Sequence, residues 1–183
     1  LVTAGYINEE PLRGLLPHAD AANVDIKAMS DAFYREVCSA TLEPVLRAIL
    51  LMKEAGLHIE ITNLVIPTLN DTDELFERLC AWVSEKLGSE TPLHFSRFFP
   101  QFRMTHLPPT PVDTLLRARE IARRSGLKHV YVGNAEVADG ETTFCAGCGT
   151  PLVVRQRYTI RENRLAKTGA CPACGRPAKG VWS

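Results

Sequence analysis

The sequence predicts an α/β fold: a parallel sheet with crossover helices, closing part of a barrel and carrying a small four-cysteine module at its C-terminal end. Three observations carry this. Runs rich in β-branched residues alternate with amphipathic stretches across short joints, the pattern of successive βαβ units. Two C-x2-C-G pairs, "CAGCG" at 145–149 and "CPACG" at 171–175, close the chain. The charge also breaks in the same place. From Cys145 onward seven Lys or Arg face one acid, Glu162, so this tail is +6 while residues 1–144 are −6. The expected division is a barrel part at 1–140 and a four-cysteine module at 141–183.

The elements follow in order. "LVTAGY" opens on an apolar, strand-like run and "NEEPLRGLLPHA" reads as a helix. Residues 22–27 read as a strand. "TLEPVLRAILLMKEAG" (41–56) reads as a helix with Thr41 as N-cap, Val45, Ile49 and Met52 on one face, and Gly56 as its stop. "LHIEITNLVIP" (57–67) is a strand, and "NDTDELFERLCAWVSEKLG" (70–88) is a helix with acids in its first turn and glycine past its end. "PLHFSRFFP" (92–100) is a strand. "PVDTLLRAREIARRSG" (111–126) is a helix opened by Pro111, and "LKHVYVG" (127–133) is the last strand. The Pro-rich joint at 100–111 is long enough to be a functional loop. Cys38 and Cys80 stand alone and read as buried structural thiols.

With 183 residues, 45% of them hydrophobic and 23% charged, the chain can hold one globular unit and a small appendage. No apolar run approaches a membrane span and no signal peptide opens the chain. It begins on Leu1 inside an apolar run, so it reads as a piece of a longer protein. Lone thiols together with C-x2-C pairs favour a reducing, cytoplasmic setting over a disulfide scaffold. Each knuckle aims two sulfurs at one point. Cys145, Cys148, Cys171 and Cys174 thus supply the four thiolates of a closed tetrahedral site, for which zinc is the expected metal and iron a chemically equivalent alternative. The stretch between the knuckles, "PLVVRQRYTIRENRLA", reads as two short antiparallel strands, the body of a zinc ribbon.

"NVDIK" (23–27) raises a separate question. Asn23, Asp25 and Lys27 alternate with Val24 and Ile26, the period of a strand. In a barrel such a row points at the lumen, where charges persist only if paired or bound to something. Asp25 and Lys27 can neutralise each other. Asn63 and His94 in the next two strands make a shared ligand cavity the better account. A barrel aldolase with Lys27 as its Schiff-base amine is an alternative. The basic tail raises nucleic-acid binding as another, but Tyr158 and Trp182 are its only aromatics, thin for base stacking. That charge reads instead as docking to the acidic barrel or to a partner.

The runs "VTAGY", "NVDIKAMSDAFYREVC", "EPVLRAILLMKEAGLHIEITNLVIPTLNDTDEL" and "HFSRFFPQFRM" resemble the activating-enzyme branch of the radical S-adenosylmethionine (SAM) family. With the ribbon, the chain is similar to the radical SAM enzymes of the AmmeMemoRadiSam system, relatives of pyruvate formate-lyase activating enzymes. The resemblance covers essentially the whole chain. It implies the C-terminal half of a radical SAM-type (β/α) barrel. It matches Asp25 and Lys27 to the D-x-K pair that holds the amino-acid end of SAM. In the relatives this Asp also helps ligate a monovalent cation, to which Asn23 would offer its backbone carbonyl. Thr3 falls in a segment that usually reads Thr-Asn-Gly, with Ala4 here in place of the Asn and Val2 where some relatives carry an aspartate. Asn63 and His94 are matched to contacts along the bound SAM, and Arg97 and Arg103 near the mouth are candidate contacts to substrate or SAM.

The resemblance also implies a [4Fe–4S] cluster on a C-x3-C-x2-C triplet. This sequence contains no such triplet, so the cluster ligands are expected upstream of Leu1. The parent protein is then expected to cleave SAM reductively and abstract hydrogen from a small molecule or partner protein. This chain alone is expected to be inactive.

Overall fold

The computed structural model describes residues 1–165 and 167–180; Trp182 lies outside them. Five parallel strands, β1 (Val2–Thr3), β2 (Ala21–Asp25), β3 (His58–Val65), β4 (Leu93–Arg97) and β5 (Val130–Gly133), form one sheet in sequential order. Sequential order joined by right-handed crossovers puts every connecting helix on the same face, the arrangement of a barrel wall. The helices are α1 (Glu9–Leu15), α2 (Asp31–Cys38), α3 (Leu42–Glu54), α4 (Asp73–Trp82) and α5 (Val112–Arg124). The expected helix at 70–88 is therefore shorter. After Trp82 it widens into a π turn, Val83–Leu87, and stops at Gly88, whose φ of 110° suits glycine.

The core lies between this helix layer and one face of the sheet. Val24, Ile26, Ile61, Val65, Phe95 and Val132 point into it from the strands. Val45, Ile49 and Met52 of α3 meet them as expected, with Phe76 and Leu79 of α4 and Leu115 of α5. Phe76 and Phe95 pack edge to face at 5.5 Å, a favoured ring geometry. Cys80 is fully buried, and that burial pushes its thiol up to about 12.

Two local expectations are corrected. Helix α2 was not anticipated. Ser30 caps it by accepting from the Phe33 N–H at 3.2 Å, and Asp31 opens its first turn. Cys38 ends this helix and is exposed, because Ser39 turns the chain through a left-handed conformation at φ 52°. Thr41 stands at the N-cap of α3 as expected, but its side chain makes no capping bond. The Asp31 carboxylate accepts from the Leu42 N–H at 3.0 Å instead, so one side chain opens α2 and satisfies α3.

A second, antiparallel sheet follows: β6 (Thr143–Phe144), β7 (Pro151–Gln156) and β8 (Thr159–Asn163). The β7–β8 hairpin lies in the stretch predicted between the knuckles. Its own core is small, Leu152 and Val153 beside Cys145 and Cys171. It is tied to the barrel at separate points. Arg176 pairs with Glu90 at 2.5 Å, Arg157 pairs with Glu136 at 3.0 Å, and Tyr131 and Thr143 share a hydrogen bond of 3.0 Å. Arg119 of α5, itself buried, donates to the Asp139 carbonyl at 3.0 Å and holds the joint between the two sheets.

Candidate functional site

The sheet face opposite the core is polar. Its parity comes from the strands' two-residue period: where Val24, Ile61, Phe95 and Val132 go inward, their neighbours go to the other side. Register then aligns the polar residues. Asp25 pairs with Thr62, Thr62 with His94, and His94 with Tyr131, so one residue from each of four strands forms a single row. Below it Asn23 pairs with Glu60. All six are half-buried.

Contacts knit this face together. Thr62 Oγ1 donates to Asn23 Oδ1 at 2.8 Å. Glu60 meets His94 Nε2 at 2.8 Å and His58 Nε2 at 3.4 Å. The His94 hydrogen bond holds the Glu60 carboxyl below its ordinary value, against a burial that would raise it. The His94 ring stacks on Tyr131 at 4.9 Å. Tyr131 Oη meets Thr143 Oγ1, which also accepts from Arg155 Nη1 at 2.8 Å. The polar face thus runs without a break from β2 into the second sheet.

At the C-terminal end of β2, where barrel enzymes assemble their sites, Lys27 Nζ meets Asp25 Oδ2 at 2.6 Å. The Lys27 peptide is fixed on both sides. Its N–H donates to the Tyr34 hydroxyl at 3.0 Å, and its carbonyl accepts from Asn63 Nδ2 at 3.1 Å and Asn70 Nδ2 at 2.6 Å. Asn63 Nδ2 also bonds the Ile26 carbonyl at 2.8 Å, while Asn70 bonds the Leu64 carbonyl at 2.9 Å and the Ile66 N–H at 2.6 Å. Burial pushes the Tyr34 hydroxyl up to about 12, so it is neutral at any ordinary pH.

The six residues expected around one ligand therefore divide. Asn23, Asp25, Lys27 and His94 share the polar face. Thr3 and Asn63 do not. Thr3 is in register with Val24, on the helix-covered side, and its Oγ1 accepts from the Gly5 N–H at 3.0 Å. Asn63 is in phase with Ile61 and Val65, only 2% exposed, and its Oδ1 has no partner among the described residues. Its side chain acts on the site through the backbone of Ile26 and Lys27. Glu60, Thr62, Tyr131 and Asn70 were missed. The first three are visible in the alternation of "HIEIT" and "HVYVG"; Asn70 lies in a turn, where no period applies. Arg97, at the rim, donates from Nε to the Thr110 carbonyl at 2.8 Å and lies over the Phe99 ring at 4.9 Å. Arg103 lies over Phe102 at 5.3 Å.

The second centre is the four-cysteine group, which can bind a metal. The sulfurs of Cys145, Cys148, Cys171 and Cys174 all lie within 4.8 Å of one another. Cys145 and Cys174 are 3.6 Å apart, and Cys148 and Cys171 are 3.7 Å apart. Disulfide sulfurs would be about 2.05 Å apart. Thiolates tetrahedrally arranged about 2.3 Å from zinc would be about 3.8 Å apart. Gly149 and Gly175, at φ 73° and 74°, allow each knuckle to turn, and each donates its N–H back to the first cysteine's carbonyl at 2.9 Å. Bonds from Thr150 bring the Cys148 thiol down to about 6. The Arg176 backbone N–H acts to lower Cys174, but the Cys148 and Cys145 sulfurs push it up to about 12. Sulfurs this close ionise together only around a cation.

No protein-family model matches the chain. It is 45% identical over 176 residues to the uncharacterized protein MJ0808 of Methanocaldococcus jannaschii, an alignment covering 96% of this chain and 52% of that protein. The chain thus spans about half the length of this curated relative. Two solved structures share its architecture. A domain of pyruvate-formate lyase-activating enzyme from Bacteroides vulgatus superposes with a TM-score of 0.63 at 13% identity, over 72% of this chain and 79% of that one. A radical SAM methyltransferase from Sphaerobacter thermophilus superposes with a TM-score of 0.56 at 16% identity, over 82% and 43%. At these identities the likeness is one of fold.

Against SAM and an iron–sulfur cluster, the cofactors expected from the sequence resemblance, the chain fits unequally. A half-buried Asp–Lys pair suits the zwitterionic end of an amino acid. Among the described residues the cluster finds no ligands: four cysteines converge in the ribbon, Cys80 is buried and Cys38 stands alone.

The Glu60 carboxyl supplies one test. Its folded value is depressed below 4.5, so its contribution to stability is present above that pH and is lost as pH falls through the folded value. Glu60→Gln should therefore lose less thermal stability than the parent chain on acidification below pH ~4.5, followed by circular dichroism. The difference should be at most about 2–4 °C, because the carboxylate is a third exposed and water screens it. Identical acid limbs would remove Glu60 from this network.

Proposed function

We propose that this chain is the SAM-holding C-terminal part of a radical SAM enzyme of the activating-enzyme kind, belonging with the ribbon-bearing enzymes of the AmmeMemoRadiSam system. The observation that carries this reading is the Asp25–Lys27 pair, fixed at the C-terminal end of a barrel strand. An ammonium beside a carboxylate is the complement of an amino-acid head. Lys27 would take the ligand's carboxylate and Asp25 its amine, exchanging one internal ion pair for two intermolecular ones. His94, held by Glu60 and stacked on Tyr131, would line the same face with Asn23. Asn63, Asn70 and Tyr34 would act as positioning residues by holding the Lys27 peptide.

SAM cleaved reductively at a [4Fe–4S] cluster supplies the power to take a hydrogen atom from a substrate. In this reading the cluster ligands belong to a preceding segment, and the substrate is a small molecule or a partner protein. The aldolase reading loses ground to the same ion pair, since Lys27 Nζ is already engaged by the Asp25 carboxylate at 2.6 Å. Zinc is our assignment for the four-thiolate site, with a structural role in the reducing cytoplasm. A closed tetrahedron leaves no position open for substrate. In a module whose apolar core is so small, the metal would supply much of the folding free energy.

Two measurements test this reading. Elemental analysis of the purified chain should find about one zinc per chain for one four-thiolate site. Cys171→Ser should abolish it, with loss of the ribbon's structure and retention of the barrel's. Iron, or no metal with oxidised cysteines, would overturn the assignment. Under anaerobic, strongly reducing conditions a protein that includes the preceding segment should form 5′-deoxyadenosine from SAM, whereas this chain alone should form none. Turnover by the chain alone would sink the division of labour proposed.

A further inference from the structure

The rim of the barrel and the tip of the second sheet enclose a cleft of about 1120 Å³. Arg97 and Phe99, at the end of β4, form one wall. The loop after β5, starting at Gly133 and Asn134, forms the floor, and the hairpin residues Arg155 to Tyr158 form the other wall. Its volume reaches the upper end of what small-molecule sites enclose, about 300–1,000 Å³.

Five charged side chains line this cleft, and their pairing is uneven. Arg157 is neutralised by Glu136 at 3.0 Å, and the Glu141 carboxylate accepts from the Arg157 backbone N–H. Arg97 and Arg155 have no carboxylate within ion-pairing distance among the described residues. Each spends a single donor on the protein: Arg97 Nε on the Thr110 carbonyl, Arg155 Nη1 on Thr143 Oγ1. A guanidinium carries five donors in a fixed fork, so most of both forks is unspent. Both are also held in place, Arg97 by stacking on Phe99 and Arg155 by the Tyr131–Thr143 chain. Neither glutamate that also lines the cleft, Glu136 or Glu141, pairs with these two guanidiniums, which leaves both forks open. An anion between them would take paired hydrogen bonds from each.

We propose that this cleft is a binding site for an anionic group, a carboxylate or a phosphate, gripped between Arg97 of the barrel and Arg155 of the ribbon. The ribbon is then a wall of the site as well as a metal-held appendage. The cleft opens at the end of the sheet that carries Asp25 and Lys27, and Asn134 on its floor bonds Ser96 on the polar face at 3.1 Å. The anionic group accordingly belongs to the substrate. That last assignment rests on the radical SAM reading; the anion site does not.

The test follows the arginine Nε–Hε resonances of the metal-loaded chain by NMR while inorganic phosphate, and separately succinate, is added without SAM. Arg97 and Arg155 should respond saturably to at least one probe, and the responding probe identifies the anion class. Affinity should fall at least ten-fold in Arg97→Gln and in Arg155→Gln, and should be unchanged in Arg124→Gln, a surface control paired with Glu120. Should either variant lose its metal, Tyr158→Glu decides. It places a negative charge at the cleft mouth on a fully exposed residue and should weaken binding similarly. The absence of a saturable response to both probes, or full affinity in the variants, overturns the proposal. Saturable anion binding in a chain that does not bind SAM would leave the cleft standing and remove the radical SAM reading.

Discussion

One residue, Lys27, sets the geometry on which the polar face depends. Its carbonyl accepts from two asparagine side chains and its N–H donates to a tyrosine hydroxyl, so the chain just past β2 is held in one place. Because strand side chains alternate, a slip of one residue would send Asp25 and Lys27 into the helix-packed core and bring Val24 and Ile26 out. Both outcomes are prohibitive, one by desolvating charge and the other by exposing apolar surface. The asparagines that prevent the slip come from β3 and the turn after it. The strand that carries the charged pair is therefore held in register by its neighbour. The arrangement has a cost, since Asn63 Oδ1 stays buried without a partner among the described residues.

The second sheet is coupled to this face and not simply appended. Glu60, His94, Tyr131, Thr143 and Arg155 form a line of contacts from β3 to β7. Thiolates brought within 4 Å repel until a cation joins them, so metal occupancy and the order of β6 and β7 are linked. Through Thr143 the same linkage reaches Tyr131 and the row that ends at Asp25. The +6 charge of the tail finds part of its counter-charge on the barrel, at Glu90 and Glu136.

Much of this architecture could be read from the sequence because burial writes itself as periodicity. The period of two in "NVDIK" and the helical face of Val45, Ile49 and Met52 report the same core from its two sides. The knuckles were legible for a different reason: four-thiolate sites need fixed spacings and a glycine at the turn. Parity separates two of the expected ligands from the rest. Asn63 is polar and was expected among them, yet it keeps step with Ile61 and Val65. Thr3, expected through the resemblance, is in register with Val24. Helix α2 escaped because two turns give little period, and Cys38, at its exposed end, was expected inside. Arg97 was legible as a contact near the mouth, but that it and Arg155 lack carboxylate partners is decided only when the two sheets meet.

The claim that most needs measurement is that Asp25 and Lys27 hold an amino-acid head. Isothermal titration of SAM into this chain addresses it without requiring the cluster. The account predicts saturable binding that weakens at least ten-fold in Asp25→Asn and in Lys27→Met, with both variants folded and metal-loaded. Equal affinity in those variants, or no binding by the folded parent chain, would contradict it.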